Sequence, residues 1–300
     1  MAGMSDGPDR RMLLVHAHPD DECIGTGATM ARYAAEGAQV TLLTCTRGEE
    51  GEVLVPEIAH LAAAHTDELG PHRVQELAAA MAILGVGDHR FLGGEGRWRD
   101  SGMMGEPSND RPDCFWRADL LEAASEVVAV IRETRPQVLV TYDTFGGYGH
   151  PDHIQAHRVA MYGAQLASIA GFRPDLGPAW DIPKVYWTAL PRSFIQRGID
   201  ALMASGASNF FGVESADDVP MAVDDALVTT VLDGRAQEPA KMAALRAHAS
   251  QVEVDGVFFT MAERLGAEAM GFEFFRLVKG TAQPDPGHPS GWETDLFAGV

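Results

Sequence analysis

Residues 12–22 read MLLVHAHPDDE. Met12 to His16 is a short apolar run that Pro19 stops, which predicts a strand buried on both faces. Gly25 to Gly37 has a helical pattern, with Ala and Met on one face, and Gln39 to Cys45 is a second strand rich in Val, Leu and Thr. A helical region over Glu57 to Leu84 is broken at Gly70-Pro71, and Arg90 to Leu92 is a brief strand. Asp119 to Thr134 is a helix ended by Pro136, and Val138 to Tyr142 is another buried strand. Strands spaced by helices predict an α/β fold: a Rossmann-like, mostly parallel sheet with helices on both faces. Beyond residue 175 the alternation loosens, with strands expected over Lys184 to Leu190 and Phe272 to Val278 and a helix over Arg235 to Gln251. The expected organisation is a disordered N-terminus (1–10), a Rossmann-like catalytic domain (11–175) and a smaller C-terminal subdomain (176–300) completing the site. The closing Pro- and Gly-rich segment is expected to run extended over the surface.

Composition removes several function classes. The 300 residues hold 43 acidic and 23 basic side chains, and a net charge of −20 repels nucleic acid and anionic membrane surfaces. No apolar run is long enough for a transmembrane helix, and the stretch before Asp20 is too short and too polar for a signal peptide, so a cytoplasmic protein is expected. Cys23, Cys45 and Cys114 are odd in number and lack metal-knuckle spacing, which fits reduced thiols. Nothing in the pattern fixes an oligomeric state.

Two segments carry chemistry. VHAHPDDE (15–22) lies at the carboxyl end of the first strand, where open α/β sheets place their sites. Helix capping would account for Asp20 or Asp21 alone, but not for His18 beside them. YDTFGGYGHPDHIQAH (142–157) follows another buried strand, with three glycines freeing the loop before His150, Asp152 and His153. His157, four residues after His153, reads better as a packed or capping histidine. Zinc takes nitrogen and oxygen donors, and a catalytic site keeps a fourth position open for water. Two histidines and one aspartate drawn from these two segments make such a triad. Asp20 is then the candidate base, Tyr148 and His150 the donors for an oxyanion, and Asp152 the carboxylate that orients His150. A structural zinc site would close all four positions, commonly with cysteine.

These residues resemble the signature of the LmbE-like (PIG-L) family of zinc-dependent N-deacetylases. TCTRGEEGEV (44–53), FLGGEGRWRDSGM (91–103), YGHPDH (148–153), AHASQV (247–252) and GWETDLFAG (291–299) are similar to its mycothiol-pathway branch. That resemblance implies hydrolysis of the N-acetyl group of an N-acetylglucosaminyl-inositol, a small amino-sugar glycoside, by one Zn2+ per chain, with Fe2+ suiting the same donors. It implies His18, Asp21 and His153 on the metal, Asp20 as base, and His150, Asp152 and Tyr148 on the tetrahedral intermediate. It further implies Arg73, Asp100 and Glu52 on sugar and inositol hydroxyls. The chain departs from the family pattern at Cys23, where serine is expected, and at Thr144-Phe145, where Pro-Asn is expected. Rival activities with the same site are a mycothiol S-conjugate amidase and a deacetylase of another amino sugar. A rival of another class is a dinucleotide-dependent oxidoreductase, suggested by Gly25-Thr26-Gly27. Met30 stands where that fingerprint wants glycine or alanine, and Pro-Asp-Asp puts negative charge where pyrophosphate must lie.

Overall fold

The structure, a computed structural model, describes residues 9–206, 212–253 and 256–300. The disorder expected over residues 1–8 lies outside the described residues; Arg10, by contrast, pairs with Glu36 at 3.1 Å and Asp295 at 2.9 Å. Along the chain come β1 (Arg11–His16), α1 (Asp21–Ala35), β2 (Gln39–Thr44), α2 (Leu69–Leu84) and β3 (Asp88–Phe91). Then follow α3 (Leu120–Thr134), β4 (Val138–Thr141), α4 (Pro151–Ala167), β5 (Lys184–Pro191), α5 (Arg192–Ala204), β6 (Ala222–Val223) and β7 (Thr230–Asp233). The chain closes with α6 (Glu238–Ala247), α7 (Val257–Leu265), α8 (Ala267–Met270) and β8 (Phe272–Lys279).

One sheet runs β3-β2-β1-β4-β5-β8-β7, with β6 pairing the end of β5. The first five strands are parallel, and β8 is antiparallel to both β5 and β7. Because side chains alternate along a strand, β1 feeds two cores. Met12 and Leu14 join Met30, Tyr33, Leu77, Met81 and Leu245 from α1, α2 and α6. Leu13 and Val15 join Val127, Ile131, Val159 and Ala160 from α3 and α4. Each of these apolar side chains contributes about 1.5–3 kcal/mol by leaving water, an upper bound since the unfolded chain is partly collapsed. The mostly parallel sheet with helices on both faces is therefore as expected. Strand order reverses at β1, so the carboxyl ends of β1 and β4 diverge into a crevice.

Local boundaries differ from the sequence pattern for physical reasons. Helix α1 starts at Asp21, not at Gly25, because the Asp20 carbonyl accepts from the amides of Cys23 and Ile24 at 2.9 and 3.2 Å. Pro71 does not break α2; it sits in the first turn, where a missing N–H has no partner to lose. The interruption comes earlier, after a short 3-10 turn over Pro56–Leu61. Helix α6 stops at Ala247 because His248 turns out of helical geometry. The Pro- and Gly-rich stretch over 281–291 does lie at the surface, and the residues after it are anchored: Leu296 and Phe297 are buried, and the buried Glu293 accepts from Tyr186 and Thr230, both at 3.0 Å.

Candidate metal centre

The loops after β1 and β4 meet over the crevice. His18 comes from the first and His150 and His153 from the second, with ligand nitrogens of all three within 4.8 Å of one another. Asp21 lies between two of them, its Oδ2 3.5 Å from His18 Nδ1 and its Oδ1 3.3 Å from His153 Nε2. The Asp21 carboxylate also accepts the His18 amide at 2.9 Å, which fixes its orientation. Helix α4 begins at Pro151, where its fixed φ suits the first turn, and this delivers His153 to the crevice. Gly146 has φ 65°, and a Cβ there would come 2.5 Å from His153 Cβ, so the loop needs glycine to wrap this histidine.

Each proposed imidazole ligand has one nitrogen supported and one left over. His18 Nε2 faces Asp152 at 3.2 Å and Asp100 at 3.5 Å, leaving Nδ1 toward Asp21. His153 bonds the Gly146 backbone and leaves Nε2 toward Asp21 and the Tyr148 hydroxyl, the latter at 3.5 Å. Burial alone would depress His18, but Asp100, Asp152 and Asp21 outweigh it and hold the ring well above an ordinary imidazole. Burial would likewise raise Asp21, but His153 and His18 hold it well below the usual carboxylate range. Three carboxylates, Asp21, Asp100 and Asp152, thus crowd three buried rings, an environment that favours a cation. Two nitrogens and one carboxylate oxygen, each oriented from behind, fit a divalent metal ion.

Asp20 stands beside this cluster in an unusual conformation. Its φ of 111° and ψ of −33° lie outside the regions that residues with a Cβ commonly populate, a strain of about 1–3 kcal/mol. Arg73 Nη2 donates to Asp20 Oδ2 at 3.1 Å and also to the Pro19 carbonyl. Arg73 Nη1 donates to the Gly48 carbonyl at 2.7 Å, and a Cβ on Gly48 would collide with that guanidinium. Burial lifts the Asp20 carboxyl to about 6, with Arg73 pulling the other way.

The structure changes two partnerships. Asp152 does not orient His150 through its carboxylate; that carboxylate accepts from Ser101 Oγ, from the Ser101 amide at 2.9 Å and from His18. Instead the Asp152 amide donates to His150 Nδ1 at 3.1 Å, so His150 keeps its proton on Nε2. Burial and the two neighbouring rings push His150 down to about 3, which keeps it neutral. Burial raises Asp152 to about 7, against the pull of His18. His157 bonds the Tyr142 carbonyl at 2.9 Å and packs edge-on to Trp187, away from the cluster. Arg73, Asp100 and Glu52 all line the cleft of about 1700 Å³ that opens from the metal cluster. Asp100 is nonetheless engaged, accepting the amides of Glu50 and Gly102 at 3.1 and 2.9 Å.

Sequence reasoning missed Tyr142, Ser101, Glu22 and His248. Tyr142 stacks on His153 with ring centroids 4.4 Å apart, and its hydroxyl accepts the Ala17 amide at 3.0 Å. It reads in sequence as the last apolar residue of a strand, and only its place directly before the glycine loop hints otherwise. His16 is likewise structural, held between Tyr142 and Thr26 at 3.1 and 2.9 Å.

The profile of the PIG-L family, described as GlcNAc-PI de-N-acetylase, matches residues 13–163, the span that holds every group above except the C-terminal ones. A Geodermatophilus obscurus protein named 1D-myo-inositol 2-acetamido-2-deoxy-alpha-D-glucopyranoside deacetylase is 61% identical over 98% of this chain and 99% of its own length. The chain belongs to the PIG-L family. Its fold is shared with N,N'-diacetylchitobiose deacetylase of Pyrococcus horikoshii (TM-score 0.61, 18% identity, 91% of this chain and 85% of that one). The 4-carboxy-2-hydroxymuconate hydratase of Pseudomonas putida is similar in fold as well (TM-score 0.59, 18% identity, 92% and 99% covered). A hydratase on the PIG-L fold means that the reaction must be argued from the site. No helix among the described residues is long and apolar enough to cross a membrane.

Proposed function

We propose that this chain is a zinc-dependent N-deacetylase that hydrolyses the acetamide of 1D-myo-inositol 2-acetamido-2-deoxy-alpha-D-glucopyranoside, giving acetate and the free amine in mycothiol biosynthesis. The observation that carries the reading is the juxtaposition of Asp20, a strained carboxylate raised by burial to about 6, with the His18–Asp21–His153 donor set. The name of the relative at 61% identity supports the substrate.

His18, Asp21 and His153 hold the metal, which supplies Lewis-acid polarisation of the amide carbonyl and of a water. Asp20 takes the proton of the attacking water and returns it to the nitrogen as the C–N bond breaks, so that acetate and the free amine leave; Arg73 occupies Oδ2, so Oδ1 is the oxygen that carries it. Burial suits Asp20 to that task, since a base works best when its pKa approaches the working pH. His150 Nε2–H and the Tyr148 hydroxyl donate to the oxygen on which negative charge develops. Asp152, braced by Ser101, holds His18 from behind. Arg73 positions Asp20, and the edge of the cleft formed by Asp100 and Glu52 receives sugar hydroxyls. Residues 176–300 complete the site: the cleft wall includes Phe194, Met221, Gln251, Phe272 and Trp292.

The test is release of free amine from N-acetylglucosaminyl-inositol, from a mycothiol S-conjugate and from N-acetylglucosamine, with and without a chelator. A chelator-sensitive preference for the inositol glycoside is expected. Preference for the conjugate would move the assignment to an amidase with the same site, and no amine from any of the three would remove the hydrolase reading.

A further inference from the structure

Behind Asp20 lies a second cluster, Glu22, Cys23 and His248, whose side chains are all wholly buried. Glu22 accepts on both oxygens. Its Oε2 takes the Asp20 amide at 2.9 Å, while Oε1 takes His248 Nε2 at 2.8 Å and Cys23 Sγ at 3.0 Å. The His248 side chain has no other polar attachment: its Nδ1 is buried without a hydrogen-bond partner among the described residues. Its one bond spans 226 positions of sequence to reach Glu22. The turn that carries His248 is fixed in turn, because Ser250 gives its amide and its hydroxyl to Glu76 of α2, both at 2.7 Å. Arg73 projects from the same helix onto the Asp20 carboxylate. Asp20 is therefore held twice from α2, by its side chain directly and by its main chain through Ser250, His248 and Glu22.

We propose that His248 and Glu22 form a two-link clamp on the Asp20 main chain, and that both are positioning residues for the deacetylation. This rests on the reading of Asp20 as the base. A residue at φ 111° reverts to a commoner conformation unless its surroundings over-determine it, and among the described residues the Glu22 carboxylate alone engages its amide. Released, the carboxylate swings away from the water while the metal donors keep contacts of their own: His18 after β1 on Asp152, Asp21 in the first turn of α1 on the His18 amide, and His153 in α4 on the Gly146 backbone. Cys23 belongs to the same clamp as a third contact on Glu22, which gives the thiol a structural place.

The experiment compares His248→Gln, whose amide nitrogen reaches the Nε2 position, with His248→Asn, whose amide falls short. Amine release from N-acetylglucosaminyl-inositol is measured alongside the absorption spectrum of the cobalt-substituted proteins. For His248→Asn, kcat is expected to fall roughly 10- to 100-fold, as for a reacting group misplaced by about 1 Å, with KM and the cobalt spectrum unchanged. His248→Gln is expected to stay within about threefold of the wild type. Full kcat in His248→Asn, equal losses in both variants, or a loss confined to KM or to the cobalt spectrum would overturn the clamp. Should His248→Asn fail to fold, His248→Gln decides alone: near-normal kcat upholds the donor role, and a tenfold loss with an intact spectrum overturns it. A wild type that releases no amine overturns the functional reading and takes the clamp with it, whereas an active wild type isolates the clamp.

Discussion

The tripeptide His-Pro-Asp occurs twice, at 18–20 and at 150–152, each time after a parallel strand and each time followed by a residue aimed at the metal cluster. The two copies fold differently. In the second, α4 begins at Pro151, so Asp152 is already helical and points inward to Ser101 and His18. In the first, α1 waits until Asp21, and Asp20 is left outside the helix at φ 111°. Two extra non-helical residues, Pro19 and Asp20, exchange the roles. His18 turns toward Asp21 and the donor set, whereas His150 is tied back by the Asp152 amide. Asp152 is a buried strut, whereas Asp20 reaches the cleft. What separates a base from a brace is thus a backbone dihedral, and the residue types are the same.

The comparison breaks most sharply at the metal. If the fourth residue of each copy is a ligand and His150 is not, His153→Ala and Asp21→Ala should lose bound zinc and with it nearly all turnover. His150→Ala should retain zinc and lose activity only through its donor, by about 10²–10³-fold. Zinc content by atomic emission after dialysis separates the cases. Zinc lost from both His150→Ala and His153→Ala but kept in Asp21→Ala would mean that the three clustered rings, without Asp21, form the ligand set.

Next in size is Asp20→Asn, which keeps shape and tolerates positive φ. Turnover should fall about 100-fold or more with zinc retained, because the acceptor for the water's proton is gone. The acid limb of the kcat/KM profile should disappear with it. That limb belongs to a group that works deprotonated, and it lies no higher than about pH 6 because a nearby dication can only pull Asp20 down from there. An Asp20→Asn enzyme near wild-type kcat would make Asp152 the rival base and invert the two copies.

Much of this was legible beforehand. The β1 run and the alternation of strand and helix gave the sheet, since burial on both faces leaves a continuous apolar signature. Two HPD segments at the ends of parallel strands gave the cluster, because the fold brings such ends together. What escaped was long-range pairing. No periodicity announces that Ser101 braces Asp152, or that His248 reaches Glu22 across the molecule. Arg73 and Asp100 both line the cleft, but nothing in the sequence shows that the first also reaches Asp20 and the second also faces His18. Asp152 was paired with the histidine two residues before it, because neighbours in sequence are what a sequence offers. The dihedral of Asp20 was equally invisible, since aspartate adopts ordinary conformations almost everywhere else.

The smallest expected effect concerns stability. The Asp20 carboxyl is raised by burial from an ordinary 3.8 to about 6, so the folded chain binds this proton more tightly than the unfolded chain does. A carboxylate shifted in this direction destabilises the fold above about pH 6, where it must be charged in both states. The cost shrinks as pH falls toward 4 and vanishes below the unfolded pKa. In chelated protein, Asp20→Asn should therefore melt a few degrees above wild type at pH 8, and the gap should close at about pH 4. Asp152→Asn removes a carboxyl raised further, to about 7, but also loses the bonds to Ser101, so its melting temperature should fall at both values. Equal shifts in the two variants would mean that burial penalises the two carboxylates alike and that the bonds of Asp152 to Ser101 add nothing. Opposite shifts are what a base kept ready and a brace kept satisfied require.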